Sequence, residues 1–181
     1  MLTPAQRQTL KTAIQADPTA NTLFVDGNLD GLAEHLNALA SPAFHVWNPS
    51  TPVDAINDQI IGANLTPTGG GTLDTAAVVR ALVCQSKQLS LNTLLVGRET
   101  VNASKPRIRG TLQDALTDIP SGNNGNLRQG GWTQVQIAMT RQATRFERVF
   151  ANTTDGNGAA NTTPALLVVI GPLPSTELIG L

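Results

Sequence analysis

Charge, cysteine, histidine and aromatic rings are all scarce in this sequence. Only 14% of its 181 residues are charged, and the formal net charge is −1; soluble domains ordinarily carry about a quarter. That balance excludes a nucleic-acid binder working through overall positive charge. It points instead to a surface partly covered by partners, although abundant Asn, Gln, Ser and Thr would keep a bare surface wet. The single Cys84 excludes an intrachain disulfide and any cysteine-based zinc set. Within LVCQSK it reads as a small buried hydrophobe. The only two histidines are His35 in AEHLNAL and His45 in FHVW. Neither belongs to an H-E-x-x-H or H-x-x-H spacing, so both read as polar side chains at or near the surface, and metal catalysis has no support. No window approaches the run of about 18 apolar residues that a membrane span needs. The start, MLTPAQRQTLK, is a capped helix rather than a charged region followed by an apolar one, so no signal peptide is expected. These features predict a soluble chain made in the cytoplasm.

Catalytic patterns are missing as well. The stretch TPTGGGTLDT (Thr66–Thr75) places glycines before a helix, but lacks the Lys-Ser/Thr of a phosphate loop and follows no strand. It reads as a hinge. Asp54, Asp58 and Asp74 lie near helix starts, where a carboxylate favours the helix dipole, and no motif pairs them as acid and base. The expectation is a non-enzyme with no catalytic residues, metal or cofactor.

What is present is mostly helical pattern, enough for one domain with a core, or one with extended arms. Thr3-Pro4-Ala5-Gln6 is a capping box with Pro at the first helical position, and Leu10, Ala13 and Ile14 form the buried stripe behind it. Asp17-Pro18 ends this helix, and a short one follows to Phe24. Leu29, Leu32, Ala33, Leu36 and Leu39 predict an amphipathic helix. Phe44–Trp47 is a short extended segment. Thr51-Pro52-Val53-Asp54 repeats the cap logic and predicts a helix through Ile56, Ile60 and Ile61. Gly69–Gly71 form a joint before the longest helical pattern, Leu73 to Val96, closed by Gly97. Another helix is expected over about Ser104–Ile119. PSGNNGNLRQGG, from Pro120 to Gly131, is a break.

Trp132–Phe150, WTQVQIAMTRQATRFERVF, separates into two faces when placed on one helix. Trp132, Val135, Met139, Phe146 and Phe150 stack on one side, and Arg141, Arg145 and Arg148 fall opposite. Ile137 is the apolar exception on the Arg side. The Arg row is either a solvated face, with Glu147 among it, or a set of cations presented to a polyanion. Nine of the twelve basic residues are Arg. Arg suits phosphate, but GC-rich codon usage gives the same ratio. Arg107 and Arg109 make a second small basic cluster.

Beyond this helix, ANTTDGNGAANTT (Ala151–Thr163) has no apolar period and reads as a linker. Leu166, Leu167, Val168, Val169 and Ile170 then form a strand-like run, followed by Leu173, Leu178, Ile179 and Leu181. A strand apolar on both sides must be covered on both faces. The run either folds back beside Phe44–Trp47 or adds to a neighbouring protein; an uncovered strand at a terminus is an aggregation hazard, which favours the neighbour. The expected class is therefore mainly α: a helical bundle with a short β-like segment and an extended apolar C-terminal arm. Its expected parts are a helical core domain (1–151), a flexible linker (152–163) and a docking arm (164–181).

LTPAQRQTLKTAIQADP, PAFHVWNPSTPVDAI, and ATRFERVFA followed by the Gly/Asn/Thr linker and VVIGPLP together resemble the head-to-tail adaptors, or neck proteins, of short-tailed phages. The resemblance covers most of the chain and rests on loose motifs. It implies a helical bundle that forms a twelve-fold ring under the portal, with C-terminal segments docked on the portal protein and the ring interior facing DNA. With portal as the implied partner, the apolar residues read from the run itself, Leu166, Leu167, Val168, Val169, Ile170, Leu173, Leu178, Ile179 and Leu181, are the expected portal-docking residues. Arg141, Arg145 and Arg148 are candidates for non-specific contact with packaged DNA or for intersubunit contact. The expected partners are portal protein, a tail or nozzle protein and further copies of the chain, at the head–tail interface of the virion, after assembly in the host cytoplasm. Alternatives are a capsid decoration or accessory virion protein, and a small cytoplasmic helical binding module.

Overall fold

The computed structural model describes residues 1–67, 75–122 and 126–181. Among them are eight α-helices and four two-stranded sheets. The chain divides into two compact units, Met1–Trp47 with Arg141–Leu181, and Asn48–Thr140. This mixed helical organisation does not follow the expected boundaries at residues 151 and 163.

The first unit opens with α1 (Pro4–Ala16), α2 (Pro18–Val25) and α3 (Leu29–Asn37). The expected capping box is present: the Gln6 N–H donates to the Thr3 hydroxyl (3.3 Å), and the Thr3 N–H donates to the Gln6 side chain (2.9 Å). Asp17 ends α1 and caps α2, accepting from the Thr19 and Ala20 N–H groups. Leu10 and Ile14 of α1 pack with Leu32, Ala33 and Leu36 of α3 in one core. α3 stops before Leu39, which is exposed and bridges to Thr144. Phe44 is buried just before β1 (His45–Trp47).

In the second unit, Thr51 is a strand residue rather than the expected cap. β2 (Thr51–Pro52) leads directly into α4 (Val53–Asn57), whose start has no side-chain cap. α4 ends before Ile60 and Ile61, and Asp58 stands at its C-cap, not near its start. α5 (Thr75–Leu95) occupies most of the expected long helix, and Gly97 (φ +74°) lies just beyond it. The Gly69–Gly71 joint, Leu73 and Asp74 lie outside the described residues. β3 (Thr100–Val101) pairs antiparallel with β2. α6 (Pro106–Leu116) is shorter than expected, because Ile119 enters β4 (Ile119–Ser121), which pairs with β5 (Asn126–Arg128). Ile56, Leu91, Leu95, Leu112, Leu116, Ile119, Val135 and Met139 are buried in this unit. α7 (Trp132–Ala138) starts at Gly131, where φ is +99° and a Cβ would collide with the Gln59 carbonyl. Only glycine fits there.

The chain returns to the first unit through β6 (Thr140–Gln142), which pairs with β1, and α8 (Arg145–Val149). The continuous helix expected over Trp132–Phe150 is therefore corrected to helix, strand and helix. The cause lies in Thr144, which caps α8: its hydroxyl accepts the Glu147 N–H (3.1 Å), and Glu147 accepts the Thr144 N–H (3.1 Å). A residue in that extended cap conformation cannot also continue a helix. Val135, Met139, Phe146 and Phe150 are nevertheless buried, as the apolar face predicts.

β7 (Ala151–Asn152) pairs antiparallel with β8 (Leu166–Leu167). The intervening residues, expected as a flexible linker, form a hydrogen-bonded loop. The Asn157 side chain accepts from the Ala159 N–H and the Thr163 hydroxyl, and the Gly158 N–H reaches the Thr163 carbonyl.

Candidate interaction site

The three arginines of the predicted row lie on two elements and have three different surroundings. Arg141, on β6, forms a two-pronged ion pair with Glu147 on α8, at 2.7 and 2.8 Å. The Glu147 carboxylate is almost fully buried and also accepts the Gly171 N–H (3.3 Å). Burial pushes the Glu147 carboxyl up, but the Arg141 guanidinium and the Thr144 and Gly171 N–H groups more than offset it and hold it below its ordinary value. The same pair raises Arg141. Arg141 is thus committed to fixing the carboxylate that closes the α8 cap.

Arg145 turns toward α3 instead. Its guanidinium donates to the His35 carbonyl (3.0 Å) and meets His35 Nδ1 (3.1 Å), while His35 Nε2 meets the Asp17 carboxylate (2.9 Å). With the Arg145 donor on one ring nitrogen, the neutral ring protonated at Nε2 satisfies both contacts. His35 is thereby a half-buried connector between α1, α3 and α8. Arg148 is the exposed member, its guanidinium 5.5 Å from the centre of the Phe44 ring. Arg145 and Arg148 line a hollow of about 280 Å³ with Asp17 and Ser41.

The expected docking residues divide into two sets. Leu173 (2% exposed) and Leu178 (1%) belong to the core of the first unit with Leu10, Ile14 and Phe146, and Val169 and Leu181 pack against that core. Asn37 locks the segment by a reciprocal pair: its amide donates to the Leu173 carbonyl (2.8 Å) and accepts the Leu173 N–H (2.7 Å). Leu166 and Leu167 sit half-buried in β8. Upstream of them, Ala165 exchanges hydrogen bonds with His45 and Trp47 alongside β1. The detached arm is therefore corrected. Residues 164–181 fold back beside Phe44–Trp47 because that strand and the α1–α3 core give the apolar run an intrachain cover. Val168, Ile170 and Ile179 remain exposed.

No family model, curated protein or solved structure matches this chain.

Chemically, the arrangement offers contact surfaces. Among the described residues, no three His, Cys, Asp or Glu side chains converge as a metal site, and no helix is long and apolar enough to cross a membrane. Cys84 is buried on α5. Asp54 stands in the first turn of α4. Arg109 donates to the Ala103 and Ser104 carbonyls, so one half of the Arg107/Arg109 cluster supports the start of α6. Glu147 is the residue that a helical wheel misplaces: the wheel puts it among surface charges, whereas Thr144-x-x-Glu147 is the spacing of a cap.

Proposed function

We propose that the chain is a structural virion protein, a head-to-tail adaptor that assembles as a ring between portal and tail around the DNA channel. The observation that carries the reading is the C-terminal segment itself. Its anchors, Leu173 and Leu178, are fixed in the core, while Val168, Ile170 and Ile179 stay exposed. A stretch held so firmly gains no stability from apolar side chains in water, and burying them against a second protein would be favourable. The sparse charge and the resemblance of the opening, the Pro42–Ile56 region and the ATRFERVFA segment to neck proteins support the same reading. Of the arginine row, the member open to DNA phosphates in such a ring is Arg148, because Arg141 and Arg145 are engaged within the subunit. Repetition around the ring multiplies a contact that is weak and salt-sensitive by itself.

The test is capture of the full chain on purified portal rings. The native chain should bind, and a triple variant, Val168→Asp, Ile170→Asp and Ile179→Asp, should lose binding while keeping its thermal transition. No capture of the native chain rejects the adaptor reading, and undiminished capture of the variant rejects the docking segment.

A further inference from the structure

α5, the longest helix among the described residues, carries a second apolar surface. α5 buries Cys84, Leu91 and Leu95 on one side. On the other side Val78 (46%), Leu82 (58%), Leu89 (65%) and Val96 (71%) are exposed. Thr75, Gln85 and Asn92 are exposed too. These seven positions, 75, 78, 82, 85, 89, 92 and 96, are separated by alternating steps of three and four. That is the spacing of a helix-pairing seam, with Thr75, Leu82, Leu89 and Val96 at one core position and Val78, Gln85 and Asn92 at the other. Val96 continues the helical bonding, its N–H donating to the Asn92 carbonyl (2.9 Å).

The seam is already shaped for a partner helix. An open groove of about 460 Å³ is lined by Leu82, Gln85, Ser86, Gln88, Leu89 and Asn92. A side chain from a paired helix inserts into a hole made by four residues. Leu82, Gln85, Ser86 and Leu89 frame one such hole, and Gln85, Gln88, Leu89 and Asn92 frame the next.

Charge and hydrogen bonding decide the occupant. The only charged residues between Thr75 and Val96 are Arg80 and Lys87, and neither lies on the seam; Lys87 is turned inward to the Asp114 and Thr117 carbonyls. An uncharged seam matches another uncharged seam, whereas a charged partner face would lose its hydration without compensation. Gln85 and Asn92 each carry both a donor and an acceptor. In a parallel, in-register pair each amide meets its own copy and each leucine meets a leucine. In the antiparallel arrangement amides face leucines and lose their partners. We propose that α5 pairs in parallel with α5 of a second copy of this chain, with Leu82 and Leu89 as its apolar layers and Gln85 and Asn92 setting the register. The proposal stands on α5 alone and does not depend on a portal.

Sedimentation equilibrium of the full chain should show a concentration-dependent species of twice the 19.0 kDa chain mass. Leu82→Glu with Leu89→Glu should leave the far-ultraviolet spectrum and thermal transition in place, since both residues are exposed, and should abolish that species. Leu89→Cys should cross-link to itself on oxidation, whereas Val83→Cys, off the seam, should not. A native chain that stays monomeric through the micromolar range, or a double variant that still associates, overturns the proposal. Cross-linking through Val83→Cys in preference to Leu89→Cys overturns the pairing geometry. Portal capture would be unaffected by these outcomes.

Discussion

Glu147 is the buried charge on which the α8 cap of the first unit rests. Its carboxylate is buried, paired with Arg141, and bonded to the Thr144 and Gly171 N–H groups. Glu147→Gln keeps the shape but leaves Arg141 facing a neutral amide, and should cost roughly 2–3 kcal/mol. Replacing both partners, as Arg141→Met with Glu147→Leu, should cost less than the single change, because no half-buried charge is left alone. Acid should act in the same place. The folded Glu147 carboxyl lies below the unfolded value of about 4.3, so its stabilisation is complete above that value and is lost as pH falls through the folded value. Asp17 is lowered too: its burial is outweighed by His35 and the Ala20 and Thr19 N–H groups, and its contribution has the same sign. Thermal melts of the full chain between neutral pH and pH 3 should therefore show stability falling with acidification, less steeply in Glu147→Gln. An identical pH slope in the variant would refute this account of the pair.

At the scale of elements, the α8 cap separates what the sequence made legible from what it hid. Thr3–Gln6 and Thr144–Glu147 are the same device, but the first stands ahead of an apolar stripe while the second interrupts one. Because helix and strand can both bury alternate members of a short run, Val135, Met139, Phe146 and Phe150 satisfied a helical wheel without belonging to one helix. Burial was thus readable where backbone form was not. The same held for the tail: its apolarity was plain, but its cover depends on contacts such as Asn37 with Leu173, which are remote in sequence and leave no local pattern. The α5 seam leaves no distinct pattern, since apolar residues lie on both sides of that helix and its exposed row overlaps the period of the buried one. Removing the cap tests the interruption directly. Thr144→Ala should lower stability by about 1 kcal/mol, as for helix caps generally, measured by urea unfolding of the full chain. Had Trp132–Phe150 been one helix, alanine at its centre would stabilise it instead.

For the molecule as a whole, the decisive fact is that Asn48–Thr140 is continuous whereas the other unit is made from both ends of the chain. Two-residue strands such as β2 and β3 carry no readable period, so sequence patterns pointed to one helical core and a tail. The ends of the continuous segment meet: the Asn48 N–H donates to the Met139 carbonyl (2.9 Å), and the Asn48 carbonyl accepts the Ala103 N–H (3.1 Å). Ile56, Leu112, Leu116, Ile119 and Val135 are buried in it, and the segment is a compact unit by itself. A contiguous stretch with adjacent ends and its own core has the anatomy of an inserted domain. Expressed alone, residues 48–140 should fold, giving a single cooperative thermal transition and a dispersed amide spectrum. Closure between its ends implies a second result. Joining Trp47 to Arg141 by a short Gly-Ser link should leave the first unit able to bond Ala165 alongside β1 and to bury Leu173 and Leu178. Two folded halves would establish that the chain is one domain inserted in another. An excised segment lacking a cooperative transition would mean that the buried residues of Asn48–Thr140 do not stabilise it independently.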